Sequence, residues 1–429
     1  MKMKTLARMM PILAVAAATG EASAAGFQLL EQNASGIGNA YAGSAAVAEN
    51  ASTIYFNPAG MTQLKDREFS AGIAVVRPSF RFANENSSAG ALTSTGNGGD
   101  AGSTGFLPNL YASWALNKDL YVGLGIGAPF GLKTEYDNPW IGGAQSVRFE
   151  IKTVNINPSV AYRVNEKVSI GAGINWQRID VDYTRVLGTN SAPLGVTVPF
   201  PLNTSTGTFS ANDSTWGWNA GALFTLSETT KVGVSYRSKM RYTVKGDLTV
   251  QGPYAPLNAA RSGPANATVE LPDVFVLSVV QQLDPRWTMM GDISWTGWSS
   301  IPHVDIINAN SGTTAQRLDT QFRDTWRMAL GATYKVNDAW KAKFGVAYDQ
   351  SPVEDPHRLV SLPDSNRTWY SVGGQWKTPA GSLVDFGFAY LRVNTSPIHN
   401  DQSSALRGVV DGHYNSNAFI AGAQYSLAF

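Results

Sequence analysis

The chain has few of the residues that most enzymes use for chemistry. Its four histidines, His303, His357, His399 and His413, stand apart, and none lies in H-E-x-x-H or another metal-ligand spacing. Cysteine is absent, which excludes thiol nucleophiles, cysteine–zinc sites and disulfides together. The sequence also lacks G-x-S-x-G and any phosphate-binding glycine loop. We therefore predict no catalytic residue, no metal site and no cofactor.

Alternation of apolar and polar residues recurs along the chain instead. In residues 340–349 every second side chain is apolar, and residues 168–177 and 325–336 repeat the pattern. A period of two indicates β-strands with one apolar and one polar face. Arg323 and Arg327 share the polar parity of Thr325 and Gly331, so we expect both on the polar, inward face of the strand, the lumen face.

The joints between these strands alternate between short and long. Short, turn-forming joints fall near residues 117–119, 165–167, 227–230, 284–286, 337–339 and 378–381. Long joints, rich in Gly, Pro, Ser, Thr and Asn, fall near residues 83–105, 128–146, 186–214, 245–266, 299–318, 350–366 and 395–411. This rhythm and an even strand number are typical of outer-membrane barrels. We predict an all-β fold, a transmembrane antiparallel β-barrel of about fourteen strands over residues 69–429.

Composition agrees with a chain that exposes apolar surface. Charged residues make up only 15% of the 429, against 12 Trp, 16 Tyr and 18 Phe. In a soluble sandwich these aromatics would form the core; in a barrel they would form girdles at the lipid interfaces. The net charge of +1 gives no basic footprint for nucleic acid. No apolar run reaches the length of a transmembrane helix.

Both ends of the chain carry export features. Residues 1–24 have a basic start, an apolar run and an A-x-A sequence at Ala22-Ser23-Ala24, as a cleaved signal peptide does. The last strand ends in the aromatic Phe429. This ending resembles the C-terminal signal by which the barrel-assembly machinery recognises a barrel. We therefore expect a monomeric multi-pass protein of the bacterial outer membrane, surrounded by its lipid.

Residues 25–68 do not alternate and are too few to bury a core of their own. A barrel of this size has a lumen that must be filled. We predict that this segment is an N-terminal plug, or hatch, inside the barrel.

Several motifs appear in a fixed order along the chain. They are Ala25-Gly-Phe-Gln, Ser35-Gly-x-Gly-x-Ala-Tyr41, Asn57-Pro58-Ala59, Gly131-Leu-x-Thr-Glu-Tyr136, Trp216-Gly-Trp-Asn-Ala-Gly221, Tyr236-Arg-Ser238, Phe322-Arg-Asp-x-x-Arg327, Ala329-Leu-Gly331, Asp349-x-Ser-Pro-Val353 and Phe429. With this set the chain resembles the FadL/TodX family of long-chain fatty acid and hydrocarbon transporters. The resemblance implies facilitated diffusion of a lipophilic small molecule by way of an external apolar groove, a lumenal pocket and a lateral opening at the third strand.

The resemblance also assigns roles to residues. Phe27 matches the N-terminal residue that caps the pocket, and Asn57, Pro58 and Ala59 match the plug motif. The alternation of the third strand breaks at Pro129, Phe130 and Gly131. Because proline has no backbone N–H to donate to a neighbouring strand, a gap in the wall there is physically reasonable. The alternative is that Pro129 only starts an external loop.

Two charged residues complete the predicted site. Arg323 matches a basic position near the family's substrate head group, and Asp100 matches an acidic neighbour. A wall-stabilising ion pair is the alternative role for Arg323.

The sequence departs from the family in two external segments. Residues 186–214 and 245–266, where relatives often carry apolar helical hairpins, are rich in proline, which disfavours helix. Apolar residues for a groove remain, and they are Leu194, Val196, Val198, Phe200, Tyr254 and Leu257.

Other functions stay open from the sequence alone. Uptake of aromatic hydrocarbons and a general diffusion porin are the main alternatives. An outer-membrane lipase would need a Ser–His pair, for which His413 is the sole candidate.

Overall fold

Apolar and polar faces alternate along almost every strand of a single β-sheet in the computed structural model, which describes residues 26–89, 94–187 and 205–429. The segments are β1 (Arg67–Asn84), β2 (Gly105–Ala115), β3 (Leu120–Gly127), β4 (Gly131–Glu135), β5 (Arg148–Arg163), β6 (Val168–Leu187), β7 (Ser205–Thr225), β8 (Thr230–Arg237), β9 (Met240–Gln251), β10 (Gly263–Leu271), β11 (Val274–Gln282), β12 (Trp287–Thr296), β13 (Val304–Asn308), β14 (Thr314–Leu318), β15 (Thr325–Lys335), β16 (Trp340–Asp349), β17 (Arg367–Lys377), β18 (Leu383–Val393), β19 (Ser396–Asp401) and β20 (Val409–Ala428).

These twenty segments form fourteen barrel strands, because six barrel strands are each interrupted once. The interrupted strands are β3 with β4, β8 with β9, β10 with β11, β12 with β13, β14 with β15, and β18 with β19; in each case both parts pair with the same neighbouring strand or strands. All neighbours are antiparallel, and β20 pairs with β1 to close the barrel. The predicted barrel of about fourteen strands is confirmed.

The two faces of the strands differ as the alternation predicts. Outward residues such as Ile174, Trp326 and Phe344 are exposed, at 54, 46 and 46%, whereas inward residues such as Asn175 and Lys343 are at most 1% exposed. Apolar outward side chains are stable in contact with lipid, so this arrangement suits a membrane barrel. Aromatic pairs at the short-turn end, Trp340 with Trp376 and Trp287 with Tyr334, fit an interfacial girdle.

All six short turns lie where the sequence predicts them. The connection at residues 350–366 also has its predicted length, but most of the other long connections are shorter than expected. β6, β7 and β9 continue into regions predicted as loop, and β13, β14 and β19 form inside others. A strand extension outside the membrane does not need apolar residues on its outward face. Its polar, Thr- and Ser-rich composition therefore resembles that of a loop, and the sequence predicts a loop there. None of the described helices is both long and apolar enough to cross a bilayer.

Residues 26–66 pack against inward faces around the barrel. The segment contains α1 (Thr53–Phe56) and two 3-10 turns, Ile37–Asn39 and Pro58–Gln63. A Cβ built on Gly345 would approach Asn39 C to 2.2 Å, and one on Gly233 would approach Ala45 O to 2.0 Å. Glycine on the wall therefore lets the segment's backbone lie directly against the strands.

Candidate functional site

An aromatic cluster surrounds the first described residues. The ring of Phe27 lies 4.8 Å from that of Trp298 and 6.0 Å from that of Phe130, measured between centroids, and Trp298 also contacts Phe322 at 5.9 Å. We call Phe27, Phe130, Trp298 and Phe322 the Phe27 cluster. All four are at most 6% exposed and belong to the largest apolar core of the molecule. The predicted pocket residue Phe27 thus lies in an apolar environment suited to a hydrocarbon.

The third barrel strand is interrupted at the predicted position. Gly127 pairs with Asn155 and Gly131 with Lys152, so three residues, 128–130, oppose two residues of β5. The strand therefore carries one extra residue, which is the definition of a β-bulge. Thr153 holds the bulge, since its hydroxyl accepts from Phe130 N at 2.9 Å and donates to Phe130 O at 2.7 Å.

The bulge separates the third strand from the second. Pairing between β2 and β3 ends at Leu110 and Ile126. Beyond that point the isolated bridge Gly102–Thr134 joins the residues before β2 to β4. The span of β2 below that bridge, residues 105–109, keeps its pairing with β1 but has no paired partner on its other side among the described residues. We call this unpaired stretch of wall the β2–β4 gap.

The N-terminal segment takes the place of β2 beside the gap. Leu29 N donates to Pro129 O at 2.8 Å, and Gly131 N donates to Phe27 O at 2.8 Å, with Gln28 and Phe130 forming an antiparallel bridge. The backbone groups that the bulge frees are thus satisfied from the lumen, as buried backbone groups must be. Phe27 and the predicted opening residues Pro129, Phe130 and Gly131 are therefore joined by backbone hydrogen bonds and ring contacts.

Asn57, Pro58 and Ala59 fix the N-terminal segment to the wall. Asn57 Oδ1 accepts from Ala59 N and caps the 3-10 turn, while Asn57 Nδ2 donates to Ala45 O at 2.7 Å and to Ala222 O of β7 at 3.0 Å. A Cβ on Gly171 would lie 2.4 Å from Ala59 N, so the motif lies directly against β6. The motif acts by packing and capping.

A small cavity lies beneath the Phe27 cluster, between the N-terminal segment and the wall. It has a volume of about 60 Å³ and is lined by Trp298 from the cluster and by four charged residues, Arg237, Asp292, Arg327 and Asp349. Arg327 donates to Ala40 O at 2.6 Å and lies 3.7 Å from the Asp292 carboxylate. Arg327 therefore joins the wall to the N-terminal segment, and its predicted inward direction is confirmed.

A larger cavity of about 570 Å³ lies among the strand extensions on the long-loop side. Its lining is partly apolar, with Leu187, Phe209 and Val250, and also contains Arg185 and Arg261. Part of its wall is α2 (Ala255–Arg261), a helix in a region where proline was expected to prevent one. The expectation was wrong because Pro256 lies in the first turn, where the missing N–H has no helical partner.

Of the predicted groove residues, Tyr254 is the N-cap of α2 and Leu257 lies within that helix. Leu194, Val196, Val198 and Phe200 lie outside the described residues, as do the predicted signal peptide and its cleavage site.

Arg323 does not line either cavity. It lies before the start of β15 at Thr325, so the strand parity that places Arg327 inward does not extend to it. Its side chain is exposed, and its Nε donates to Ser351 O at 3.3 Å. The head-group role of Arg323 stays a prediction, without support from its contacts.

Asp100 fastens an external connection to β1. Its carboxylate accepts from Ser79 Oγ at 2.7 Å and Phe80 N at 2.9 Å, and pairs with Arg81 at 3.3 Å. Partial burial opposes ionisation, but these hydrogen bonds and Arg81 outweigh it and lower the pKa of Asp100. The contacts of Asp100 do not connect it with Phe27 or Arg323.

The histidines offer no catalytic arrangement in the described ranges. Each pairs with a different carboxylate, and His413, the lipase candidate, contacts Glu85 at 2.8 Å. No group of three or more potential metal ligands occurs among residues 26–89, 94–187 and 205–429.

Trp298 and Arg237 belong to the site but were given no role from the sequence. Trp298 follows β12 in a stretch without periodicity, so no signal indicated it. Arg237 could have been found, because it shares the parity of Gly233 and Ser235 on the polar face of β8.

A closed antiparallel barrel with an apolar outer face and an apolar cluster in its lumen is the architecture of an outer-membrane transport protein. Residues 15–429 match the family described as outer membrane protein transport protein (OMPP1/FadL/TodX). The chain belongs to this family, and it is an outer-membrane transporter, not an enzyme.

Individual relatives agree with this membership. The chain is 28% identical to the long-chain fatty acid transport protein of Escherichia coli K12, covering 97% of each, and 32% identical to outer membrane protein P1 of Haemophilus influenzae, covering 87% of each. In fold it is similar to a Pseudomonas aeruginosa FadL homologue, with a TM-score of 0.85 at 24% identity over 94% of this chain and 99% of that one. The Pseudomonas putida toluene transporter TodX gives a TM-score of 0.71 at 16% identity, covering 95 and 100%.

Proposed function

We propose that the protein carries long-chain fatty acids or similar hydrophobic compounds across the outer membrane by facilitated diffusion. A compound enters the external cavity near α2, moves to the Phe27 cluster and leaves sideways through the β2–β4 gap into the bilayer. Residues 25–68 act as the plug that keeps the lumen closed to water-soluble molecules. Curated relatives described as long-chain fatty acid transport proteins support the choice of substrate.

The observation that carries the proposal is the pairing of Phe27 to Leu29 with the bulge at Pro129 to Gly131. A hydrocarbon that displaces Phe27 would also disturb the hydrogen bonds at the edge of the gap. Binding in the pocket and opening of the wall are therefore mechanically linked. An apolar exit into lipid avoids the cost of passing a hydrocarbon tail through water, about 0.8 kcal/mol per CH₂.

A disulfide between positions 28 and 130 tests the proposal. The two hydrogen bonds flanking Gln28 and Phe130 identify a non-hydrogen-bonded antiparallel pair, in which Cα atoms are about 4.5 Å apart, within disulfide range. The chain has no cysteine, so Q28C/F130C forms only this bond. We expect uptake of radiolabelled oleate by cells to fall at least tenfold when the pair is oxidised and to return on reduction.

The two single-cysteine variants are the matched controls, since each carries one of the side-chain changes without the bond. Equal uptake by the oxidised and reduced double variant, with the disulfide verified by mass spectrometry, would contradict release of the N-terminal segment from the gap as a step in transport.

A further inference from the structure

We propose that Arg237 binds the anionic head group of the transported compound, so that the protein favours long-chain carboxylates over uncharged hydrocarbons. The inference rests on the proposed function. It narrows the substrates of that function to carboxylates and names a residue that determines this specificity.

Arg237 is a buried cation with neutral neighbours. It is 8% exposed, its Nη1 donates to Asn175 Oδ1, its Nη2 donates to Tyr55 O at 3.1 Å, and its guanidinium lies 4.3 Å from the centre of the Tyr55 ring. None of the described acidic side chains pairs with it within 4.0 Å. The residues outside the described ranges contain a single acid, Glu21, in the predicted signal peptide.

Neither carboxylate of the same cavity pairs with Arg237 within 4.0 Å. Asp292 accepts from Ser44 Oγ at 3.1 Å and faces Arg327. Asp349 is the cross-strand neighbour of Arg367 on β17, whose own ion pair is with Asp364. Arg237 is thus the cavity arginine without an acidic partner among the described residues, and a buried unpaired charge is costly unless an anion joins it.

The size of the cavity suits a head group rather than a whole substrate. Its volume of about 60 Å³ is several times the ~10–15 Å³ that one water requires, but is too small for a long alkyl chain. Hydroxyls of Ser235, Ser294 and Thr296 line it beside Arg237. The hydroxyls of Ser235 and Ser294 supply further donors for a carboxylate, whereas that of Thr296 donates to Gln28 Oε1.

One aromatic residue connects this cavity with the Phe27 cluster. Trp298 both lines the cavity and contacts Phe27, and Thr296 meets Gln28 at 3.2 Å at the boundary. A carboxylate at Arg237 would therefore direct its chain past Trp298 into the Phe27 cluster. An uncharged hydrocarbon would fill the cluster and leave Arg237 unpaired.

The competing explanation is that Arg237 only fastens the plug through Tyr55. Arg163 is a matched control, because it too donates to a carbonyl of the N-terminal segment, that of Thr62, but it does not line the cavity. The experiment measures equilibrium binding of oleate and of oleyl alcohol, which has the same tail without the charge, to full-length protein in nanodiscs. The variants are R237M, R237K, R163M and R323A.

We expect R237M to weaken oleate binding at least about tenfold, the value of a charge-assisted hydrogen bond, and to change oleyl alcohol binding less than twofold. R237K should recover part of the loss, and R163M should leave the ratio of the two affinities unchanged. Equal losses for both ligands in R237M, or a selective loss confined to R323A, would overturn the assignment to Arg237. If wild-type protein bound neither ligand, the proposed function itself would fail.

Discussion

At the residue scale, a buried lysine links the N-terminal segment to the wall near the short-turn end. Lys343 Nζ, 1% exposed in its side chain, lies 2.7 Å from Glu49 Oε2 and 3.0 Å from Asp385 Oδ1, and donates to Ser35 O at 3.1 Å. Lys341 also pairs with Glu49, at 3.5 Å, but its side chain is 41% exposed. Two lysines of one strand thus meet the same carboxylate in different environments.

Replacing Lys343 tests this link. K343M leaves Asp385 and Glu49 without their buried partner, and breaking a buried pair in this way costs about 3–5 kcal/mol. We expect a clearly lower midpoint of thermal unfolding in detergent for K343M. K341M removes an exposed pair, which is worth at most about 1 kcal/mol, and serves as the control. Equal midpoints for the two variants would show that the buried link adds no stability.

Individual residues were predictable where a regular strand carries them. Parity placed Arg327 inward correctly because β15 includes it, whereas Arg323 precedes the strand and points elsewhere. The same argument applied to β8 would have identified Arg237. Trp298 belongs to a 3-10 turn, and only tertiary packing brings it to Phe27.

At the scale of elements, one extra residue accounts for the break in the third barrel strand. Residues 128–130 oppose two residues of β5, and the strand regains regular pairing at Gly131. Deleting one residue of this bulge would make the register continuous from β3 to β4. The restored edge could then pair with residues 105–109 of β2.

We therefore expect deletion of Pro129 to close the β2–β4 gap and lower oleate uptake at least tenfold, with surface abundance unchanged. Deletion of Asn97, an exposed residue of the external connection between β1 and β2, is the control and should leave uptake near wild type. Full uptake after deletion of Pro129, with a closed gap verified by structure determination, would contradict exit through the wall.

Elements inside the membrane were predicted better than elements outside it. Lipid imposes an apolar outward face, so strands such as β15 and β16 show strict alternation, and their boundaries follow. The extensions of β6 and β7 lie outside that constraint. Their inward residues, such as Tyr183 and Phe209, are apolar, but their outward residues are not, so the sequence lacks the lipid-facing pattern that would separate them from loops. α2 was missed because a proline count ignores where in a helix each proline lies.

At the scale of the whole molecule, the barrel wall and the N-terminal segment depend on each other. Wall glycines and inward polar side chains contact residues 26–66 from several sides. The fold class followed from strand number and turn rhythm. The contacts of the enclosed segment could not be predicted from the sequence, because its small residues show no periodicity that would indicate which wall residues they pack against.

Removing residues 25–65 is expected to leave a barrel with an open aqueous lumen. Planar bilayers should then record stable channels from the deletion variant, while the intact protein passes little current. A large, steady conductance by the intact protein would contradict the plug and favour a general porin.

The central claim, lateral exit from the Phe27 cluster, is tested most directly by a photoreactive fatty acid with a diazirine at the end of its tail. It is added briefly to cells, and the labelled positions are mapped by mass spectrometry. We expect labels at Phe106, Leu107 and Pro129 around the gap. They should exceed the label at Phe344, an outward residue on a distant strand that measures labelling from the bilayer. Labels concentrated instead at Gln63 and Lys341, which line a cavity at the short-turn end, would contradict lateral exit and indicate an axial route.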